Sequence, residues 1–332
     1  MLAWFSLRWC VSPLFGRWRA AVLGALLLAA GAPPADGQFR PRPRKPVVGP
    51  AARPASAAPA DPPAVRVKLF QAASLANGFK DSEALAAYQE VLKLNPDHYL
   101  ALWQAAALST RIGRRYTDET RKAAYFDAGR QYADRALALR PEGGESNYAV
   151  ALALFNQATL FRAGARLAAF QELRSHVYLA TERRPDLAEA WALRGRWQYR
   201  VSHYNLFERI YANLVLGGVP AGGDSREAME CLERARQLAP LNLQFCYDLA
   251  RMCRYQGRRR RAIEVLREAQ AIAPVTGEDL VLSRLCRQLL PPLLRAAARR
   301  QRRLAPEGGA PALPPVAPAP RRAPGDSISG QR

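Results

Sequence analysis

The sequence predicts an all-α fold: a right-handed solenoid of stacked antiparallel helix pairs. Three observations lead there. Pro240 and Pro274 stand 34 residues apart, each closing an Arg/Ala-rich segment of the same design. Pro96, Pro141 and Pro185 close three further segments, with 45, 44 and 55 residues between successive prolines up to Pro240. Residues 65–300 are rich in Ala, Leu, Arg and Glu and poor in β-branched runs, a balance that favours helix over strand. A proline removes a backbone donor and halts the helix before it. The chain therefore reads as one regular two-helix unit preceded by stretched ones.

Each element follows from its own pattern. Leu69, Ala72, Ala73 and Ala76 suggest a short first helix, with Gly78 and Asp81 marking a turn. Ala84, Tyr88, Val91 and Leu94 recur at helical spacing up to Pro96. Leu102, Trp103, Ala106 and Ile112 define the next helix. The polar stretch 113–122 separates it from a long helix around 121–140. Residues 145–160 are almost continuously apolar and read as the inside of the stack. Arg162 to Arg166 read as a kink or turn before a helix from Leu167 to Arg183.

The following helix carries Trp191, Gly195, Trp197 and Tyr199, and an extra segment, 200–224, comes after it. Residues 201–217 of that segment predict an apolar-aromatic helix of about four turns. Leu206, Ile210, Asn213 and Leu214 share one of its faces, and Phe207, Tyr211 and Val215 another. Gly217 and Gly218 end it, and Asp224 or Ser225 caps the helix of Ala228, Leu232, Ala235 and Leu238. The last unit pairs a helix at 242–256, carrying Leu249, Ala250 and Cys253, with one at 259–273, carrying Ala262, Leu266, Ala269 and Ile272. Gly257 makes the turn between them. Close helix pairs need small residues at their contacts, because bulk there overpacks the core. Ala228, Ala235, Ala250, Ala262 and Ala269 are assigned that packing role, together with Trp191, Gly195, Trp197 and Gly257.

The 34-residue period is that of a tetratricopeptide repeat, and stacks of such units are more often binding surfaces than catalytic pockets. The run AEAWALRGRWQYRVSHYNLFERIYANLVLGGVPAGGDSREAMECLERARQLAP at 188–240 adds a more specific likeness. It resembles the regulator of microtubule dynamics family of tetratricopeptide proteins, and especially its bacterial relatives in the Bacteroidota. The shared elements are GRW at 195–197, the amphipathic insert, LGGVP at 216–220 and the helix ending at Pro240. The likeness covers roughly two thirds of the chain, from Trp103 to about Leu290. It implies an α-solenoid with no known catalytic centre. The organelle and microtubule roles of the eukaryotic members are not carried over, because the leader has a bacterial design.

The ends differ from the middle. Residues 1–37 read as a signal peptide: Arg8, Arg17 and Arg19 precede the apolar stretch 20–32, and Ala35 and Gly37 suit a cut before Gln38. An uncleaved inner-membrane anchor through residues 1–32 is the alternative. Residues 38–64 form a Pro/Ala/Arg-rich linker, 65–300 the repeat domain, and 301–332 a disordered Pro/Ala/Gly-rich basic tail. The expected location is the periplasm or outside the cell.

Net charge is +21, carried almost wholly by arginine. Two clusters, Arg258, Arg259, Arg260 and Arg261, and Arg299, Arg300, Arg302 and Arg303, are candidate patches for an anionic partner. Each also has a plain reading, as a solvated turn and as a helix C-terminus that favours cations. Nucleic acid is disfavoured by the export signal and by the lack of interleaved aromatics.

Five cysteines are too scattered for a disulfide scaffold. Cys246 and Cys253 read as buried thiols, and Cys231 and Cys286 as candidates for contacts across a helix pair. The sequence contains no GxxxxGK, HExxH or GxSxG element. His98, His176 and His203 lie far apart, so no metal or cofactor is expected. His203, Asn205 and Glu208 are placed to form a polar cluster, read as a structural hydrogen-bonded group with a catalytic site as the remote alternative. The expected function is a noncatalytic exported scaffold that binds a protein or peptide in the cell envelope. A basic protein on an anionic membrane surface is the alternative.

Overall fold

A computed structural model describes residues 61–304 as twelve α-helices, with no strand among the described residues. The expected signal peptide and nearly all of the linker and tail lie outside the described residues. Helices α1 (Pro63–Asn77) and α2 (Asp81–Leu94) form the first pair. Helices α3 (Tyr99–Gly113) and α4 (Glu119–Leu139) form the second, and α5 (Gly144–Gln157) and α6 (Ala163–Arg183) the third. Helix α7 (Ala188–Ser202) pairs with α9 (Ser225–Leu238) across an inserted helix, α8 (Leu206–Val215). Helices α10 (Leu243–Tyr255) and α11 (Arg259–Gln270) make the fifth pair, and α12 (Gly277–Leu304) packs on both.

Local chemistry sets the starts. Pro63 opens α1, where its missing donor costs nothing. Asp118, Asp224 and Asn242 cap α4, α9 and α10 by accepting backbone N–H bonds, at 2.8 Å for the two aspartates and 3.0 and 3.4 Å for Asn242. Gly257 turns α10 into α11 with φ +72°, a region that glycine enters without steric penalty.

The core is a relay of three clusters. One joins α1 to α4 around Tyr88, Val91 and Leu102. The second joins α3 to α7 around Leu173 and Trp197. The third joins α7 to α12 around Leu232, Leu249 and Leu266. Neighbouring clusters share helices, so each pair is stabilised by the next, as in a one-dimensional stack.

The structure corrects the expected boundaries in two places, and it shows how the last helix passes its prolines. Arg162 is the extended N-cap of α6, and the helix begins at Ala163, so the expected kink across Arg162–Arg166 is a single residue. The insert is ten residues, not four turns, because α7 runs to Ser202 and Asn205 caps a new helix. Helix α12 continues through Pro291 and Pro292 to Leu304. Both prolines are exposed, as are Arg287 and Gln288, the residues whose carbonyls lose their helical donors, so water is at hand for those carbonyls.

Candidate protein-binding surface

The GRW element at 195–197 serves three contacts at once. Gly195 lies against α9, where a Cβ would stand 2.7 Å from the Ala228 carbonyl oxygen. Arg196 reaches α10, with its Nε 2.7 Å from an Asp248 oxygen. Trp197 is fully buried, and its indole N–H donates to the Phe170 carbonyl of α6 at 2.8 Å. Three successive residues thus tie α7 to α9, α10 and α6. Trp191 is partly buried and donates to the Pro185 carbonyl at 2.9 Å. Arg194 stands where the repeat pattern has leucine. Its guanidinium covers the Tyr178 ring at 4.1 Å, which keeps an apolar contact in place of the missing side chain. Ala228, Ala235, Ala250, Ala262 and Ala269 are all fully or almost fully buried.

A second arrangement brings together the first helices of the pairs. Arg115, just past α3, bonds Glu278 at the start of α12 at 2.8 Å, across 163 residues of sequence. Such a tie requires the stack to wind until its second pair meets its last helix. Arg115 also pairs with Asp81, and Arg111 donates to the same carboxylate at 2.5 Å. Asp81 is buried, so two arginines neutralise a charge that water cannot reach.

Beside them lies Arg114. Its guanidinium makes no hydrogen bond or ion pair among the described residues. Dehydration, then the nearby charge of Arg196, hold its pKa below the ordinary arginine value, while Glu278, Asp248 and Tyr148 act in the opposite sense. The Tyr148 hydroxyl is pushed upward by burial, with Glu189 adding to the shift. These groups come from α3, α5, α7, α10 and α12. They line one inner face, with a solvent-accessible cation left unpaired in it.

The residues of this face were not singled out from the sequence. Arg114 and Arg115 sit in a polar stretch that looks like any solvated turn. Asp81 looks like a turn residue. Only the 163-residue contact distinguishes them.

The expected polar cluster divides in two. Asn205 and Glu208 form a reciprocal capping box at the start of α8, with backbone–side-chain distances of 2.8 and 3.0 Å. Glu208 is buried and also bonds Arg200, with Arg166 at 3.9 Å. Burial alone would raise its pKa. The Arg200 hydrogen bond, the Asn205 backbone donor and the two arginine charges more than reverse this and lower it. His203 does not join the box. It is exposed, lies against the Tyr199 ring at 4.1 Å, and shares hydrogen bonds with Ser202, the Tyr199 carbonyl and Gln256. The set does not form one site.

The first arginine patch is also smaller than expected. Arg261 grips Glu233 at 2.6 and 2.8 Å and bonds Glu264 at 3.0 Å, so its charge is already matched. Arg258, Arg259 and Arg260 are exposed, as are Arg299, Arg300 and Arg302. The side chain of Arg303 lies outside the described residues. Cys231, Cys246, Cys253 and Cys286 are all free and buried, so no disulfide joins helix pairs among the described residues. Burial pushes the Cys231 thiol up to about 11 and Cys286 to about 12. His176 shares a 2.8 Å hydrogen bond with Asn147, and His98 caps α3. Among the described residues no group of His, Cys, Asp and Glu is placed to hold a metal, and no helix is long and apolar enough to cross a membrane.

Comparison with known proteins follows the same outline. The family model described as Regulator of microtubule dynamics protein 1-3 matches residues 69–294. That span takes in the first helix pair, ahead of the start at Trp103 read from the sequence. Regulator of microtubule dynamics protein 3 of Mus musculus is 25% identical over 229 residues, covering 65% of this chain and 46% of the relative. The same protein of Rattus norvegicus is 26% identical over 229 residues, with the same coverage. The chain thus spans about half the length of the curated relatives it matches. A thermophilic TPR protein of Thermus thermophilus aligns at 16% identity and a TM-score of 0.49, over 68% of this chain and 100% of that one. The family model runs from within α1 into α12 and covers well over half of the sequence, and the chain belongs to the regulator of microtubule dynamics family.

Proposed function

We propose that the protein is a noncatalytic scaffold of the cell envelope that holds an extended segment of a protein or peptide against its inner face. The observation that carries this reading is Arg114, an exposed guanidinium with no hydrogen bond or ion pair among the described residues, on a face to which five helices contribute charged and polar groups. An accessible guanidinium with a second arginine nearby and no acid bonded to it can make a charge-assisted, bidentate hydrogen bond to an incoming carboxylate. The partner segment is therefore expected to place an acidic group there. The leader composition supports the exported part of this reading, a periplasmic or secreted scaffold.

The test is affinity capture by the tagged full chain from envelope extract, compared with Arg114→Ser. Recovery of a defined partner that falls on the order of tenfold in the variant supports the reading, since a charge-assisted hydrogen bond is worth about 1.5–3 kcal/mol. Equal capture by both chains, or reproducible turnover of a metabolite by the wild type, refutes it. N-terminal sequencing of the recovered chain tests cleavage before Gln38.

A further inference from the structure

Helix α8 is inside out. At about 100° per residue, Leu206, Phe207, Ile210, Tyr211, Leu214 and Val215 cover an arc of about 180°, and that arc faces solvent. Phe207 is 81% exposed, Leu214 80% and Leu206 69%. The side turned to the protein carries Glu208 and Ala212, which are buried. An amphipathic helix at a protein surface normally buries its apolar side. Here the charged side docks, because Arg200 and Arg166 wait for Glu208 on α7 and α6. Gly164 makes room at the edge: a Cβ there would meet the Tyr211 hydroxyl at 2.6 Å.

The helix is also held before anything binds it. A free ten-residue helix is marginal in water. This one has a capping box at its start and left-handed glycines, Gly217 and Gly218, just past its end. A docking partner therefore pays no ordering cost for it.

The charge around the arc selects the partner. Glu208 is the sole acid on α8, and it is turned inward and neutralised. Residues 157–171, which include the start of α6, contain no acid, and neither do residues 209–223. Arg209 on α8 and Arg162 at the N-cap of α6 are exposed. The surface is apolar and cationic, on a chain of net charge +21. That combination matches the edge of a bilayer, where acyl chains take the apolar arc and headgroup phosphates take the arginines. A protein partner would need acidic groups around an apolar groove, and a second copy would bring like charge against like.

We propose that α8 is an interfacial docking helix that seats the protein on an anionic phospholipid surface. The inference goes beyond the inner-face scaffold and does not depend on it. It also moves the membrane contact away from the arginine clusters read from the sequence.

The test uses the full chain and vesicles of mixed phosphatidylcholine and phosphatidylglycerol. Flotation is compared for wild type and Phe207→Ser/Leu214→Ser, whose substituted side chains are exposed. Circular dichroism confirms that the variant folds. Hydrogen exchange of the segment 205–216 gives a local readout. The expected results are flotation of the wild type at low salt, slower exchange in 205–216 on adding vesicles, and partitioning weaker by on the order of 10- to 100-fold in the variant. Pure phosphatidylcholine should bind less. The proposal is overturned if the wild type does not float, or if the variant floats as well as the wild type. The second result would assign binding to another part of the chain. Protection of 205–216 that rises with protein concentration alone, without lipid, would assign the face to a second copy and overturn the proposal as well.

Discussion

Replacing Gly195 with alanine sets two effects of known size against each other. Helix propensity favours alanine over glycine inside α7 by about 0.8–1.0 kcal/mol. Contact opposes it. The new Cβ would lie 2.7 Å from the Ala228 carbonyl oxygen, 3.2 Å from the Cys231 Cβ and 3.3 Å from the Leu232 Cγ. The first of these is backbone of α9 and has no rotamer to change, so α9 must move away from α7. Overpacking of this kind costs about 1–3 kcal/mol, more where backbone must shift. Because backbone must shift here, the upper part of that range applies, about 2–3 kcal/mol; less the propensity gain, Gly195→Ala should lose about 1–2 kcal/mol, or about 2–8 °C in melting temperature for a domain of this size. Urea and thermal unfolding followed by circular dichroism measure it. Gly277→Ala is the control, because a Cβ at the start of α12 meets nothing within 4 Å; it should leave the midpoint unchanged or raise it. A Gly195→Ala chain as stable as the wild type, or more so, would refute the close-approach argument and leave propensity as the ruling effect.

Three further outcomes follow from the same contacts. Trp197→Ala should cost about 3–5 kcal/mol, with Trp197→Phe milder, because the indole is fully buried and its N–H holds the Phe170 carbonyl; chemical denaturation measures both. The four cysteines of the helical region should resist a thiol reagent near neutral pH in the folded protein and react once it is unfolded, since all are buried and their thiols are pushed upward. Rapid native modification at any of Cys231, Cys246, Cys253 or Cys286 would contradict the packing. Glu208→Gln should lower stability by about 1 kcal/mol at neutral pH. The lowered pKa of Glu208 gives stability that is fully present above the unfolded carboxylate value of about 4.3 and is lost as pH falls through the folded value. The gap between variant and wild type should therefore close in acid, and melting curves across pH would show it.

The periodic elements were legible in the sequence, and the reason is local. A helix needs only its own residues to set an apolar period, and a proline needs only its own ring to end it. Pro96, Pro141, Pro185 and Pro240 therefore located four helix ends before any contact was known, and Asp224 located a start. The errors fell where the local signal has two meanings. Arg162–Arg166 holds a glycine and two arginines, which suit a turn or a helix start. The insert 201–217 is apolar enough to read as one helix, and only the capping box of Asn205 and Glu208 separates α8 from α7.

Part of the candidate surfaces was legible as residue types, but their roles were not. GRW stood out as a block, yet Gly195 acquires its purpose from the Ala228 carbonyl and Arg196 from Asp248. Arg261 looked like its three neighbours until Glu233 was placed against it.

By itself, then, the sequence determined the helix-pair architecture and the 34-residue unit, because backbone periodicity is encoded within each segment. Only the tertiary structure decided which face of α8 turns outward and which arginines remain free. Those choices depend on charges brought from other helices: Arg200 and Arg166 to Glu208, Glu233 to Arg261, and Glu278 to Arg115 across 163 residues.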